Sequence, residues 1–455
     1  MTKKISFLNF VIYFSLFVYF VSQNIYAVSI ATDYNSIVVF LFDIIGLISF
    51  INFTIRTKKI NIYSLVNFFL FFFFYYCALN QYLHGWIAWS NYFKVLSIET
   101  NEYIFVNITI IVFIIVLDLI YFINVRSKES KTIANIVNDR VELSHTVIVV
   151  LTIINVIVML FFIKTYGFKG LLTRYDSQLV TTSNRYTKQI IDVFLRFIPC
   201  SICIILSFYI NKITIKKNFI YYIINFLILL LIVFPLGGTA RYMIAAVYLS
   251  VFYTFIKKGN FKSLIVLLLI FGIVVVFPNI NYFRFHSISE LKSFKFQTFD
   301  VDVEDFDAYS MLIFIIKYAK SNGFALGNNF INAILFFVPR AIWSNKMVGT
   351  GAIVASSYNS TFTNVSAPLI AESYFSFGVL GVIYTALFLG LLCKCMDHNL
   401  LSNNILKYGV SCILFGMITF IMRGDFLSSF AYAISFILNF LLITFFVSLF
   451  KRKVI

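Results

Sequence analysis

The chain has 455 residues, of which 61% are hydrophobic, 19% aromatic and only 12% charged, with a mean hydropathy of +0.92. Soluble globular domains carry about 25% charged residues, so a soluble fold is excluded, and the net charge of +17 is no sign of nucleic acid. What remains is an all-α polytopic membrane protein, because lipid leaves backbone polar groups no partners but their own helix.

A helix needs about 20 apolar residues to cross about 30 Å of hydrocarbon. By that measure spans are expected at 5–22, 36–55, 62–80, 103–125, 143–163, 190–210, 219–236, 240–256, 263–280, 367–392, 408–422 and 427–449, twelve in all. The first apolar run, Ile5 to Val21 behind Lys3 and Lys4, has the look of a signal peptide with Ala27 as its cleavage position. The charge pattern favours an uncleaved first span. With both termini cytoplasmic, every inner segment is basic, from Arg56, Lys58 and Lys59 to Lys451, Arg452 and Lys453. The turns at 22–35 and 80–102 carry one lysine between them, Lys94. The reading is one transmembrane domain, 1–455, in a cytoplasmic (inner) membrane, without repeats or a soluble domain.

Two segments on the extracytoplasmic side break the charge rule. The loop 164–190 carries Lys164, Lys169, Arg174, Arg185 and Lys188, and the long loop 281–366 carries Arg284, Lys292, Lys295, Lys317, Lys320, Arg340 and Lys346. Lysine sorts to the inside as topology asks. Arginine does not: Arg174, Arg185, Arg196, Arg241, Arg284, Arg340 and Arg423 all fall on the outer side or at span ends. Lysine is a hydrated point charge, whereas arginine is a planar fork that fits phosphate oxygens. Arginines placed against topology point to an anionic ligand there, although solvation in a loop serves Arg174 and Arg284 equally well.

Five places carry the candidate chemistry. Pro235 to Arg241 is a tight Gly-Gly turn that ends in Arg241 at the start of a span, where a helix N-terminus favours an anion. Arg423-Gly424-Asp425 is a second short outer turn. Val338 to Trp343 ends an apolar segment, Asn328 to Val338, too short to span and so re-entrant or interfacial; Trp343 offers a face for a sugar ring or an interfacial anchor. Glu372 lies one turn into the span beginning near Pro368, where a carboxylate needs an arginine partner or a catalytic task. The run Asp300, Asp302, Glu304, Asp305, Asp307 lacks the glycine and distal glutamate of a calcium loop, which leaves Asp305 and Asp307 as sugar contacts or a base. Among four scattered histidines His286 is the one well placed as a base near these groups, and no metal pattern is formed. The six cysteines sit in apolar runs or at inner helix ends, with no disulfide framework. There is no phosphate-binding glycine loop and no dinucleotide motif, so any chemistry must use an already activated donor.

These motifs, in this order, resemble the Wzy-type O-antigen and capsule repeat-unit polymerases. The resemblance is carried by Gly237, Gly238 and Arg241; Phe306 and Asp307; Pro339, Arg340, Trp343 and Lys346; Glu372, Phe377, Gly378 and Gly381; and Arg423, Gly424 and Asp425. It covers the chain from about 230 onward, and Met347 stands where a proline is common in the family. It implies a GT-C-like membrane glycosyltransferase. A glycan on undecaprenyl pyrophosphate would move to the end of a new lipid-linked repeat unit at the outer leaflet, without a cofactor. Arg241, Arg340, Arg423 and Arg196 would hold the pyrophosphate; Glu372, Asp307 or Asp425 would act on the acceptor hydroxyl; Trp343, Asp305 and His286 would meet sugar. A chain-length regulator and a flippase of the same pathway would be partners. Two rival activities fit the hydropathy: the O-antigen ligase, and a flippase for the lipid-linked unit. A flippase calls for charges along a central path, and Asp43 and Asp118 are the clearest mid-span charges.

Overall fold

A computed structural model describes residues 34–450 apart from 58, 96, 124–142, 180–192, 211–215, 235–238 and 257–261, together with a few helical positions between 15 and 29. Among the described residues the fold is all helix: 78% helical and without strands. Eight helices are long and apolar enough to cross a membrane. They are α1 (Ser36–Arg56), α2 (Ile62–Leu83), α3 (Thr100–Phe122), α4 (His145–Leu172), α8 (Ile265–Phe285), α12 (Leu369–Asn399), α13 (Ile405–Arg423) and α14 (Phe426–Leu449). Three shorter helices accompany them, α5 (Ile198–Ile210), α6 (Lys216–Ile232) and α7 (Arg241–Ile256). Together these fall on eleven of the twelve expected spans. The first, 5–22, lies outside the described residues except at isolated positions.

Polar residues set where the helices begin. Asn35 accepts hydrogen bonds from the Ile37 and Val38 N–H groups at the start of α1. Asn61 and Ser64 exchange side-chain-to-backbone bonds as a capping box on α2, and Asn404 caps α13. Each such side chain satisfies N–H groups that a first helical turn leaves bare. Helix α2 is wrapped by protein along its whole apolar window. Its run Phe68 to Tyr76 makes an aromatic core in which Phe69 and Phe73 stack at 4.6 Å and Phe72 and Phe73 meet edge-on at 5.4 Å. Rings filling a bundle centre contribute through area and through these preferred offsets.

The segment 281–366 is not an open loop. It holds three helices, α9 (Ala308–Asn322), α10 (Asn328–Ile334) and α11 (Thr350–Ser357). Helix α9 is buried from Ala308 to Ile316, and its Tyr309 hydroxyl donates to Asn107 of α3 at 2.8 Å. Helix α10 packs on α14 and α12.

Helix α12 is two helices joined at a bend. Phe377 leaves the helical region, and Gly378 sits at φ 61°, ψ −145°. A side chain is strained at that φ, so glycine is required. The carbonyls freed by the bend are taken by the chain leading into α10: the Ala325 N–H donates to Phe375 O at 2.8 Å and the Leu326 N–H to Ser376 O at 3.0 Å. At Gly381 the Ser373 carbonyl lies where a Cβ would stand. The Phe-Gly-x-x-Gly stretch is thus the geometry of a fold-back, and it seals α10 against the bundle.

The mid-span Asp118 is paired. Asp118 accepts from the Tyr63 hydroxyl and from Asn52 Nδ2, both at 2.7 Å, with Arg56 at 3.4 Å. Asp43 lines a cavity of about 490 Å³ whose other walls are almost all apolar, beside Tyr75 and Leu79.

Candidate active site

The end of the bundle that carries 281–366 gathers the N-terminus of α7 and the C-terminus of α13. A short acidic stretch, 302–307, lies across it. Residues Glu304–Phe306 make one 3-10 turn, and the Phe306 ring packs among Phe72, Phe73, Phe277 and Phe299 at 5.5–6.3 Å. Gln81, near the end of α2, donates its amide to Val301 O at 2.7 Å and to Phe306 O at 3.3 Å. The stretch is therefore pinned by a ring cluster and a buried amide, which fixes its three aspartates in direction.

Each aspartate reaches a different partner. Asp305 Oδ1 takes an N–H of Arg241 at 2.5 Å, with the Arg241 side chain only 9% exposed. The same guanidinium donates to Phe277 O at 3.2 Å and lies 4.3 Å over the Phe277 ring. Asp307 is fully buried; its Oδ1 takes an N–H of Arg423 at 2.8 Å, and its Oδ2 takes the Trp89 indole N–H at 2.8 Å and the Ser366 N–H at 3.3 Å. Asp302 Oδ2 meets His84 Nδ1 at 2.7 Å.

Tyr242 links the two arginine pairs. Its hydroxyl donates to Asp305 O at 3.1 Å, and the Arg423 guanidinium lies 4.4 Å over its ring. Arg423 Nε is buried and has no hydrogen-bond partner among the described residues. Two further arginines approach. Burial lowers the Arg174 pKa, and the positive charges of Arg284 and Arg241 lower it further, which puts three guanidinium groups within each other's field. Arg241 and Arg423 are each held by a carboxylate and stacked on a ring, planar donors in a partly dry setting that Asp305 and Asp307 keep apart.

The other expected arginines are elsewhere. Arg340 is exposed, and its fork donates to the carbonyls of Lys346 and Met347 at 2.5 and 3.2 Å. Lys346 answers by donating to Leu335, Phe336 and Val338 carbonyls at 3.1, 2.7 and 2.9 Å, where α10 ends. The Pro-Arg-x-x-Trp-x-x-Lys stretch is thus a self-tied clasp on a helix C-terminus, where a cation is favoured. Burial, then the Arg340 charge, lowers the Lys346 pKa. Trp343 is half-exposed on this clasp; its backbone N–H donates to Pro339 O at 3.0 Å, while its indole makes no hydrogen bond or ring stack among the described residues. Arg196 was expected at the rim. It is buried, donates to Ile232 O at 3.1 Å and lies over Phe162 at 5.1 Å. Its neighbour Phe197 stacks on Phe436, ten residues into α14, so Arg196 sits about 15 Å below that end.

Glu372 and Asp425 bind backbone and neighbouring polar groups. Glu372 is buried; its Oε2 accepts from Thr350 Oγ1 at 2.6 Å and Asn329 Nδ2 at 2.7 Å, and its Oε1 from the Phe426 N–H at 3.1 Å. Asp425 caps α14 through the Leu427 N–H at 3.0 Å and also takes the Gly351 N–H at 3.3 Å. Burial pushes the Asp425 carboxyl above the usual range. The two carboxylates tie the starts of α11 and α14 to α10 and α12. Gly349 is required beside them, because a Cβ there would stand on the Asp425 carboxylate. His286 stacks on Tyr282 at 4.1 Å, with Nδ1 3.1 Å from Tyr282 O. Gly237 and Gly238 of the turn before Arg241 lie outside the described residues.

Sequence reasoning missed His84, Trp89 and Tyr242, and passed over Arg174 and Arg284. The signal for the first two was present: His84-Gly85-Trp86-Ile87-Ala88-Trp89 is a polar and aromatic turn between two spans, of the same kind as Arg423-Gly424-Asp425.

No curated protein and no solved structure matches the chain. A family model does, over residues 8–454, and it describes the O-antigen polysaccharide polymerase Wzy. With nearly the whole chain matched, a helical membrane bundle beneath it and the motif order of the C-terminal half in place, this chain belongs to the Wzy family of O-antigen polysaccharide polymerases.

Proposed function

We propose that the chain joins oligosaccharide repeat units carried on undecaprenyl pyrophosphate, at the outer leaflet of a cytoplasmic membrane, with both termini inside. The observation that carries this reading is the arginine group around Asp305 and Asp307, with the partnerless Nε of Arg423 among it. A diphosphate leaving group gains negative charge as the glycosidic bond to it breaks. Fixed guanidinium donors in a partly dry site stabilise that charge without reorganising. Arg241 and Arg423 are the direct ligands in this reading, with Arg174 and Arg284 supplying further charge. Asp305 and Asp307 orient the two forks. Glu372 and Asp425 hold the outer helices in register, and Trp343 offers a free ring to the sugar chain. The donor is already activated, so transfer requires no nucleotide. Basic residues along 164–190 and 281–366, apart from the clasp pair Arg340 and Lys346, guide the anionic lipid-linked substrates. A flippase and a chain-length regulator of the same pathway are the expected partners.

Loss of the gene tests the activity. A polymerase mutant displays surface glycan with one repeat unit. Long chains trapped on the carrier lipid would instead mark a ligase, and absence of surface glycan a flippase. The paired state of Asp118 speaks against a charged path through the bundle.

A further inference from the structure

The polymerase reading leaves one step without an agent. The acceptor hydroxyl must lose a proton as it attacks the anomeric carbon. Asp307, Asp425 and Glu372 already accept two or more hydrogen bonds each, all directed to protein. Asp307 and Glu372 are buried, and both oxygens of Asp425 are engaged by backbone N–H groups, so none offers a sugar an acceptor atom free of protein partners.

His84 does. It follows the last turn of α2 and points its Nδ1 at Asp302 Oδ2, 2.7 Å away. A carboxylate there accepts, so Nδ1 carries the proton and Nε2 keeps its lone pair. Nε2 has no partner among the described residues, and the side chain is 32% exposed. Asp302 is held in turn: its own N–H donates to Asp300 Oδ1 at 2.9 Å, and Gln81, one turn before His84, anchors the Val301 carbonyl. The orienting carboxylate and the two arginine-holding carboxylates belong to one stretch of six residues. Its three-residue step from Asp302 to Asp305 spans at most about 11 Å, a distance a bound sugar covers.

We propose that His84, oriented by Asp302, is the general base of the transfer reaction. Nε2 takes the proton of the acceptor hydroxyl while its oxygen bonds to the anomeric carbon of the donor. The bond from that carbon to the phosphate oxygen breaks, and the pyrophosphate leaves with the electron pair. The imidazolium then returns the proton to water. This rests on the polymerase reading, and the test separates the two.

The full-length protein in nanodiscs is given its own lipid-pyrophosphate-linked repeat unit, extracted from a strain lacking the polymerase. His84→Gln is expected to lose about 100- to 1,000-fold in kcat with KM for the lipid-linked unit unchanged. His84→Gly is expected to regain part of its rate with added imidazole, which a structural role would not allow. Asp302→Asn is expected to fall less far than His84→Gln. Wild-type rates in His84→Gln, or no imidazole rescue, would overturn the base assignment while the polymerase reading stands. A wild-type protein that grows no chains under these conditions would remove both.

Discussion

Two basic elements near the same end of the bundle use arginine in opposite ways. In the acidic stretch 302–307, carboxylates hold Arg241 and Arg423, leaving Nε of Arg423 unmatched. In the clasp around Arg340 and Lys346, both cations are satisfied by main-chain carbonyls of their own segment. A carboxylate orients a guanidinium and keeps it available to a second anion. A set of helix-end carbonyls consumes a cation's donors and fixes a fold. The partner set, and not the residue type, separates an arginine held by a carboxylate from one consumed by main-chain carbonyls.

The largest effect should come from the first element. Arg423→Ala is expected to lower chain growth by about 100- to 1,000-fold, and Arg423→Lys to recover little, because an ammonium cannot present the fork. Rates per folded protein, with the amount in the membrane measured alongside, give the result; a fully active lysine variant would show that position-specific planarity is unneeded. At the clasp the effect should move from rate to stability. Lys346→Met leaves three carbonyls short of a donor and should cost about 1–3 kcal/mol, read as a lower unfolding temperature in detergent with turnover per folded molecule unchanged. In the same assay Arg340→Ala should lower the unfolding temperature less, again with turnover per folded molecule unchanged, since its guanidinium is exposed.

The smallest effect concerns Asp425, whose carboxyl burial raises above its unfolded value. A group of that kind favours its neutral form in the fold, so its contribution is present at low pH and is lost as pH rises through the folded value. Asp425→Asn keeps an oxygen to cap α14 and does not ionise. Its unfolding temperature relative to wild type should therefore improve as pH rises upward from the ordinary carboxyl range through the folded value, and a constant difference would show that the carboxyl is not held neutral.

Much of the architecture could be read from hydropathy, since runs such as 103–125 and 427–449 have nowhere to go but across lipid. The twelve expected spans include helices too short to qualify alone, such as Arg241–Ile256, because neighbours and not their own length hold them in place. Arg241 and Arg423 stand out in the sequence because each lies where a span meets a short turn. Arg340, at the end of an apolar segment too short to span, reads as a third phosphate ligand. Its true partners are main-chain atoms of residues 346 and 347, which no residue pattern reveals. The His84–Asp302 pair joins positions 218 apart, and only the pinning of 301–306 by Gln81 brings them together. Arg196 reads in the sequence as one more outer arginine, and the helix that follows it starts well below the bundle's end.

The bend at Phe377 and Gly378 has a consequence for where the lipid surface lies. Beyond it, residues 379–399 make a straight rod of about 31 Å, the thickness of a bilayer's oily layer. Helix α13, ending at Arg423, runs for 19 residues or about 28 Å. Both rods thus run out at nearly one level. Above that level stand Glu372, the first turns of α12 and the tether to α10. A carrier lipid whose tail stays in the oil would lift its charged head to that waterline, the height at which Arg423 waits.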